Sequence, residues 1–168
     1  MMMTDTDTVV IADKGMIRPV EIKGARIGHG TSRRPDSLAW AEIEIYKLFD
    51  GGYMTHRMGM SLTYHTQDTK CVTRDGDQRG DVATVDDLPD EAEPCMRCRP
   101  APPDYLGDSE PIRYEFPRHT FDNCATPEEV EERLTVIHHR DHGRSVRYSK
   151  PVRDALREAA RIDPAFRR

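Results

Sequence analysis

Two cysteines three positions apart, Cys95 and Cys98, and a histidine six positions before a cysteine, His65 and Cys71, are the side chains of this chain best suited to do chemistry. A Cys-x-x-Cys turn brings two thiolates close enough to share one tetrahedral ion. Zinc favours such sulfur ligands, with an imidazole nitrogen completing the set. Pro94 and Pro100 flank the turn and remove competing helical conformations. The expected centre is a Cys3His site for Zn2+. Four protein ligands leave no position open for water or substrate, so the metal would be structural, which argues against a zinc hydrolase. Folding of residues 65–98 would then depend on it. Reduced thiols packed as small apolar groups, or a redox pair, are the competing readings. His119 with Cys124 forms a second pair at similar spacing, and His138, His139 and His142 offer further substitute ligands.

The elements that must position these groups read as an α+β fold: a small antiparallel sheet centred on residues 40–65, a zinc-pinned irregular segment and two C-terminal helices. Ala41-Glu42-Ile43-Glu44-Ile45-Tyr46-Lys47-Leu48 alternates apolar and polar, as a strand buried on one face does, and Asp50-Gly51-Gly52 supplies a turn. The returning strand places Met54, Met58, Met60, Leu62 and Tyr64 among the candidates for its buried side. His56 on that strand reads as a surface or hydrogen-bonded residue. Two shorter strands, over 9–12 and 17–22, precede a polar connection from Gly28 to Ser37. The Gly28-His29-Gly30-Thr31-Ser32-Arg33-Arg34-Pro35 run lacks the Gly-Lys-Ser/Thr ending of a phosphate-binding loop and reads as a surface loop.

Residues 66–108 are acidic, aperiodic and rich in proline, a stretch that needs an external constraint to hold a shape. Further on, Thr126 is a good helix N-cap, Pro127 suits the first helical position and Glu128 and Glu129 complement the helix dipole. Val130, Leu134 and Ile137 then recur at helical spacing. A second helix after Ser149 places Val152, Ala155, Leu156 and Ala159 on one side and Arg153, Arg157 and Arg161 on the other. The expected organisation is a flexible start over 1–8, a β-rich region with the zinc site over 9–110, and a helical region over 111–168.

Composition bounds the function. At 168 residues, with 36% hydrophobic and 33% charged residues, the chain has room for a modest core and long surface segments. Its net charge of -5 is unevenly spread, acidic over 68–110 and basic from Arg144 onward. No run approaches the length of a membrane span, and the polar N-terminus lacks the pattern of a signal peptide, so a cytoplasmic protein is expected. There is no Ser-centred nucleophile elbow, dinucleotide loop or His-Glu-x-x-His.

The block Gly59-Met60-Ser61-Leu62-Thr63-Tyr64-His65-Thr66-Gln67-Asp68-Thr69-Lys70-Cys71, followed by Glu93-Pro94-Cys95-Met96-Arg97-Cys98-Arg99-Pro100, resembles a pattern in uncharacterised small proteins of actinobacteria and their phages. The resemblance carries no activity; it implies a phage or mobile-element protein that acts on a host component. Three functions follow as expectations. The first is a non-enzymatic regulatory protein, without catalytic residues, that presents its zinc-pinned segment and basic helix to a host protein. The second is a nucleic-acid binder in which Arg144, Arg147, Lys150, Arg153, Arg157 and Arg161 contact phosphates. The third is a metal-dependent nuclease built on His138 and His142.

Overall fold

The computed structural model of the chain describes residues 8–139 and 149–167, the side chains of 136–139 excepted. The class is α+β, as expected, with a curled antiparallel sheet and two helices. The chain forms two compact units, neither continuous in sequence. The first comprises Met1–Arg34, Ala41–Gly59 and Arg118–Arg168; the second comprises Pro35–Trp40 and Met60–Pro117.

The first unit carries a five-stranded sheet. Its strands are β1 (Thr8–Ile11), β2 (Val20–Thr31), β3 (Ala39–Leu48), β4 (Tyr53–Ser61) and, from far along the chain, β9 (Arg118–Cys124), in the order β1-β2-β3-β4-β9. Positive φ angles at Gly51 and Gly52 close the β3–β4 turn, where the Leu48 amide donates to the Gly52 carbonyl. On β4 the expected burial pattern is only partly right. Tyr53, Thr55 and His56 are buried while Met54, Met58 and Met60 are half-buried; Leu62 and Tyr64, beyond the strand, are buried as expected. The reason is that β4 is covered on both faces, so its alternation does not separate core from solvent.

The expected loop at Gly28–Ser37 is corrected at its start, because β2 continues through Gly28, His29, Gly30 and Thr31, paired to β3 as far as Glu42. The glycines serve packing. Helix α2 (Lys150–Ile162) lies so close to β2 that a Cβ on Gly28 would sit 2.3 Å from the Ala155 carbonyl oxygen, and one on Gly30 would sit 1.8 Å from that of Pro151. A bulge at Ile27 shifts the register and turns its side chain into the core. That core joins Ile27, Ile43, Ile45, Tyr53 and Cys124 to Val130 and Leu134 of α1 (Pro127–His139) and to Val152, Ala155 and Ala159 of α2.

Helix α1 starts as its sequence dictates: the Glu129 amide donates to Thr126 Oγ1, and the Glu129 carboxylate accepts from the Ala125 amide. After α2 the chain is fastened by buried Asp163, which accepts from Tyr53 Oη at 2.7 Å, from Lys47 Nζ at 3.2 Å and from the Ala165 amide at 3.0 Å. The Tyr53 hydrogen bond is the largest cause holding the Asp163 carboxyl below its ordinary value, and Tyr53 itself is pushed up to about 12 by burial and that carboxylate. A depressed carboxyl stabilises the fold above its unfolded value of 3.8, and the contribution is lost as pH falls through the folded value. Asp163→Asn is therefore expected to cost about 2–3 kcal/mol at pH 7 in urea unfolding, with the gap to the parent protein closing as pH drops below that range.

The second unit carries a four-stranded sheet in the order β6-β8-β5-β7, from β5 (Thr63–Thr66), β6 (Asp81–Ala83), β7 (Glu93–Pro94) and β8 (Ile112–Tyr114). β8 is antiparallel to both β5 and β6, while β7 runs parallel to β5. The segment expected to be irregular thus contributes two short strands, and residues 112–124, grouped by sequence with the helices, form two more. Both tyrosines of this sheet are buried and anchored through their hydroxyls, Tyr64 to the Ala101 carbonyl and Tyr114 to that of Ser61. The core is small: Tyr64, Ala83, Ala92, Ile112 and Tyr114, with Leu88, Leu106 and Phe116 against it.

Candidate metal centre

All four expected ligands belong to the second unit, and its strands bring them together. His65 is carried by β5, whose extended backbone leaves its side chain 6% exposed. β7 lies beside β5, and its pairing continues past Pro94, since the Cys95 amide donates to the Tyr64 carbonyl at 2.9 Å. This one hydrogen bond fixes the start of the Cys-x-x-Cys turn next to the residue that precedes His65. The turn then closes tightly: the Arg97 amide points at Cys95 Sγ at 3.4 Å, and the Arg99 amide donates to the Cys95 carbonyl. Arg99 takes φ 51°, a left-handed conformation that lets the chain leave the turn toward Pro100.

Cys71 arrives from the other side. After β5 the chain turns over residues 67–70, and the Cys71 amide is held by Thr69 Oγ1 at 2.9 Å. A small hairpin follows, bridged between Val72 and Gln78, and the Arg79 amide donates to the Cys71 carbonyl at 3.0 Å. The hairpin explains how an acidic, aperiodic stretch delivers a cysteine accurately.

The ligand atoms of His65, Cys71, Cys95 and Cys98 all lie within 4.8 Å of one another, so the group could hold a metal ion. Cys71 Sγ is 3.7 Å from Cys95 Sγ, and Cys98 Sγ is 3.6 Å from His65 Nδ1. For zinc bonds of about 2.3 Å to sulfur and about 2.0–2.1 Å to nitrogen, the edges of a tetrahedron are about 3.8 Å between sulfurs and about 3.5 Å between sulfur and nitrogen. Both observed separations agree with these edges, and the first is far longer than the roughly 2.05 Å of a disulfide.

Electrostatics suit the same purpose. Burial is the main cause that lowers the His65 value, with Arg79 adding to it against Glu115, which leaves the imidazole neutral with a lone pair to give. At Cys95 burial opposes ionisation, but the amides of Cys98 and Arg97 and the neighbouring thiols outweigh it and pull the value down. Cys71 moves the other way: Thr69 favours its thiolate, while burial and the Cys95 and Cys98 sulfurs outweigh that and raise it. Three sulfurs crowded together without a cation between them cannot all ionise, and a divalent ion removes that conflict.

No known protein family, curated protein or solved structure matches this chain.

Cys124 is in the core of the first unit, where burial pushes its thiol up to about 11, and His119 Nδ1 meets His56 Nε2 at 2.7 Å. His138 and His139 end α1 with side chains outside the described residues, and His142 lies outside them altogether. Of the basic candidates, Arg144 and Arg147 are also outside the described residues. Arg153, Arg157 and Arg161 form one exposed stripe on α2, four residues apart, while Lys150 is paired with Asp154 at 2.7 Å. Sequence reasoning missed the partnership of His56 with His119. Its only signal is that each falls on an alternating strand, and nothing in one sequence says that β4 and β9 pair. No helix of the described residues is long and apolar enough to cross a membrane.

Proposed function

We propose that this chain is a non-enzymatic interaction protein whose second unit is held in shape by one structural zinc ion on His65, Cys71, Cys95 and Cys98. The observation that carries the reading is the donor set itself: three sulfurs and one nitrogen within 4.8 Å of one another, with the Cys71–Cys95 and Cys98–His65 separations near tetrahedral edges; a zinc ion held by all four would have no open coordination position. Donor softness favours zinc over magnesium or calcium, which seek oxygen. Two exposed side chains of this unit could meet a partner. Met96, between the two turn cysteines, is 87% exposed, and Tyr105 of the same unit is 80% exposed. A rigid turn with a soft apolar tip on an acidic segment suits a protein partner better than an anionic one. The partner proposed from the resemblance of this segment is a host protein met by a phage-encoded regulator. Site-specific photo-crosslinking from position 96, in cells that make the protein, tests this. One recurrent protein adduct that disappears on zinc chelation is expected; crosslinks that are diffuse or insensitive to chelation would refute it.

A second reading is favoured by one observation, the exposed stripe of Arg153, Arg157 and Arg161 on α2, which suits phosphate contacts. If nucleic acid is the partner, fluorescence anisotropy should show binding that weakens steeply with salt. Arg153→Glu with Arg157→Glu should then reduce affinity by at least about tenfold without loss of helicity. Equal binding by the parent and the double variant would remove this alternative.

A further inference from the structure

Away from the metal centre, the face of the five-stranded sheet opposite the helices holds four titratable side chains in one continuous line. Glu44 Oε1 on β3 meets His56 Nδ1 on β4 at 2.8 Å; His56 Nε2 meets His119 Nδ1 on β9 at 2.7 Å; and His119 Nε2 meets Asp13 Oδ2 in the turn between β1 and β2. The two imidazoles are 2% and 3% exposed, whereas Asp13 is 40% exposed. Their ring planes differ by only 10°, with centroids 5.0 Å apart. With nitrogens 2.7 Å apart, that places the rings edge to edge in nearly one plane, so the lone pair of one nitrogen points at the other. Phe121 covers the flat face of His56 at 4.5 Å. Among the described residues, Arg26 of β2 and Tyr46 of β3 also meet this line, both donating to Glu44 Oε2.

The protons in this line can be counted. Glu44 is held at about 2, because although burial opposes its ionisation, His56, Arg26 and Tyr46 all donate to it. As a carboxylate it can only accept, so His56 Nδ1 carries a proton. The junction between the rings needs a second proton, since two lone pairs facing each other at that distance repel. The junction with Asp13 needs a third, carried either by His119 Nε2 or by the Asp13 carboxyl. Two neutral imidazoles beside two carboxylates hold only two.

We infer that Glu44, His56, His119 and Asp13 form a protonation-dependent clasp, in which one proton beyond the two of neutral imidazoles fastens the β1–β2 turn to β9. When that proton leaves to solvent, one of the three junctions must break. The exposed end yields first, because water can replace the Asp13 contact but cannot reach the buried ring pair. The clasp is therefore closed at lower pH and opens as pH rises. Its release frees the turn that supports β1, the edge strand, whose described pairing with β2 runs over Thr8–Ile11.

Histidine-selective nitrogen NMR of the full-length, zinc-loaded chain reads the clasp, together with exchange protection of the Met16 amide, which donates to the Asp13 carbonyl. Scalar coupling across the hydrogen bond between His56 Nε2 and His119 Nδ1 is expected at low pH. One proton should be lost as pH rises, with Met16 protection falling at least about tenfold in the same step. Asp13→Ala, at an exposed position where folding is not at risk, should leave Met16 poorly protected at every pH while the ring pair persists. Absence of the inter-ring coupling at every pH where the protein is folded would overturn the inference. So would Met16 protection that is unchanged through the step, or that is unaffected by Asp13→Ala.

Discussion

Serine at both Cys95 and Cys98 is expected to unfold the second unit while the five-stranded sheet and its two helices stay folded. The unit contains about 60 residues, a size at which a hydrophobic core alone is marginal, and its core has five buried residues, two of them alanines. Structural zinc contributes about 10–16 kcal/mol in small peptides of this ligand type, well beyond what such a core offers. Without an ion the hairpin over 72–78 and the turn over 95–98 would have no common anchor, and β7 would keep only its short pairing with β5, Glu93 and Pro94 extended by the Cys95 amide on the Tyr64 carbonyl. Hydrogen exchange should therefore show protection in Thr63–Thr66 and Ile112–Tyr114 falling by a factor of about 10³ or more, while Ile43, Ile45 and Leu134 change little. Chelation of the parent protein should reproduce that pattern. Retained protection in β5 and β8 of the double variant would mean that the sheet stands without a metal.

Gly30→Ala is expected to be the most damaging single-methyl addition in the first unit. The new Cβ would lie 1.8 Å from the Pro151 carbonyl oxygen and 2.6 Å from its carbon, both backbone atoms that cannot rotate away. Either α2 withdraws from β2 along its length or the strand bends, and both open the core that Val152, Ala155 and Ala159 fill. A loss of about 3 kcal/mol or more in urea unfolding is expected, with Gly28→Ala close behind because its Cβ would meet the Ala155 oxygen at 2.3 Å. Gly59→Ala supplies the comparison. Its nearest neighbour would be Arg118 Cβ at 3.9 Å, so a change within about 1 kcal/mol is expected there. Equal effects at positions 30 and 59 would mean that α2 does not press on β2.

The gathering of His65, Cys71, Cys95 and Cys98 into one group that could hold a metal was legible because its information is local in type and short in spacing. The donor softness of cysteine and histidine, and a Cys-x-x-Cys between prolines, do not depend on knowing the fold. Helix α1 was legible for a similar reason, since Thr126, Pro127 and Glu129 act within one turn, and α2 announced itself through Val152, Ala155 and Ala159. What stayed hidden depends on partners far along the chain. Gly28 and Gly30 look like loop residues until α2, more than a hundred residues later, is seen lying on them. Met54 and Met58 look like core until β9 pairs with β4 and the covered positions prove to be His56 and Thr55. The His56–His119 contact likewise exists only through that pairing, between strands separated by the long segment of the second unit, Met60–Pro117. Short strands such as β6 and β7 carry too few residues for any period to show. They are set instead by β5 and β8, to which they attach.

Native mass spectrometry of the reduced protein, combined with X-ray absorption at the metal edge, measures the proposed centre itself. One zinc per chain is expected, bound by three sulfurs at about 2.3 Å and one nitrogen at about 2.0 Å, and lost when Cys95 and Cys98 are both serine. A reduced, unchelated protein that carries no metal, yet keeps β5 and β8 as well protected as after zinc addition, would contradict the structural role assigned to His65, Cys71, Cys95 and Cys98.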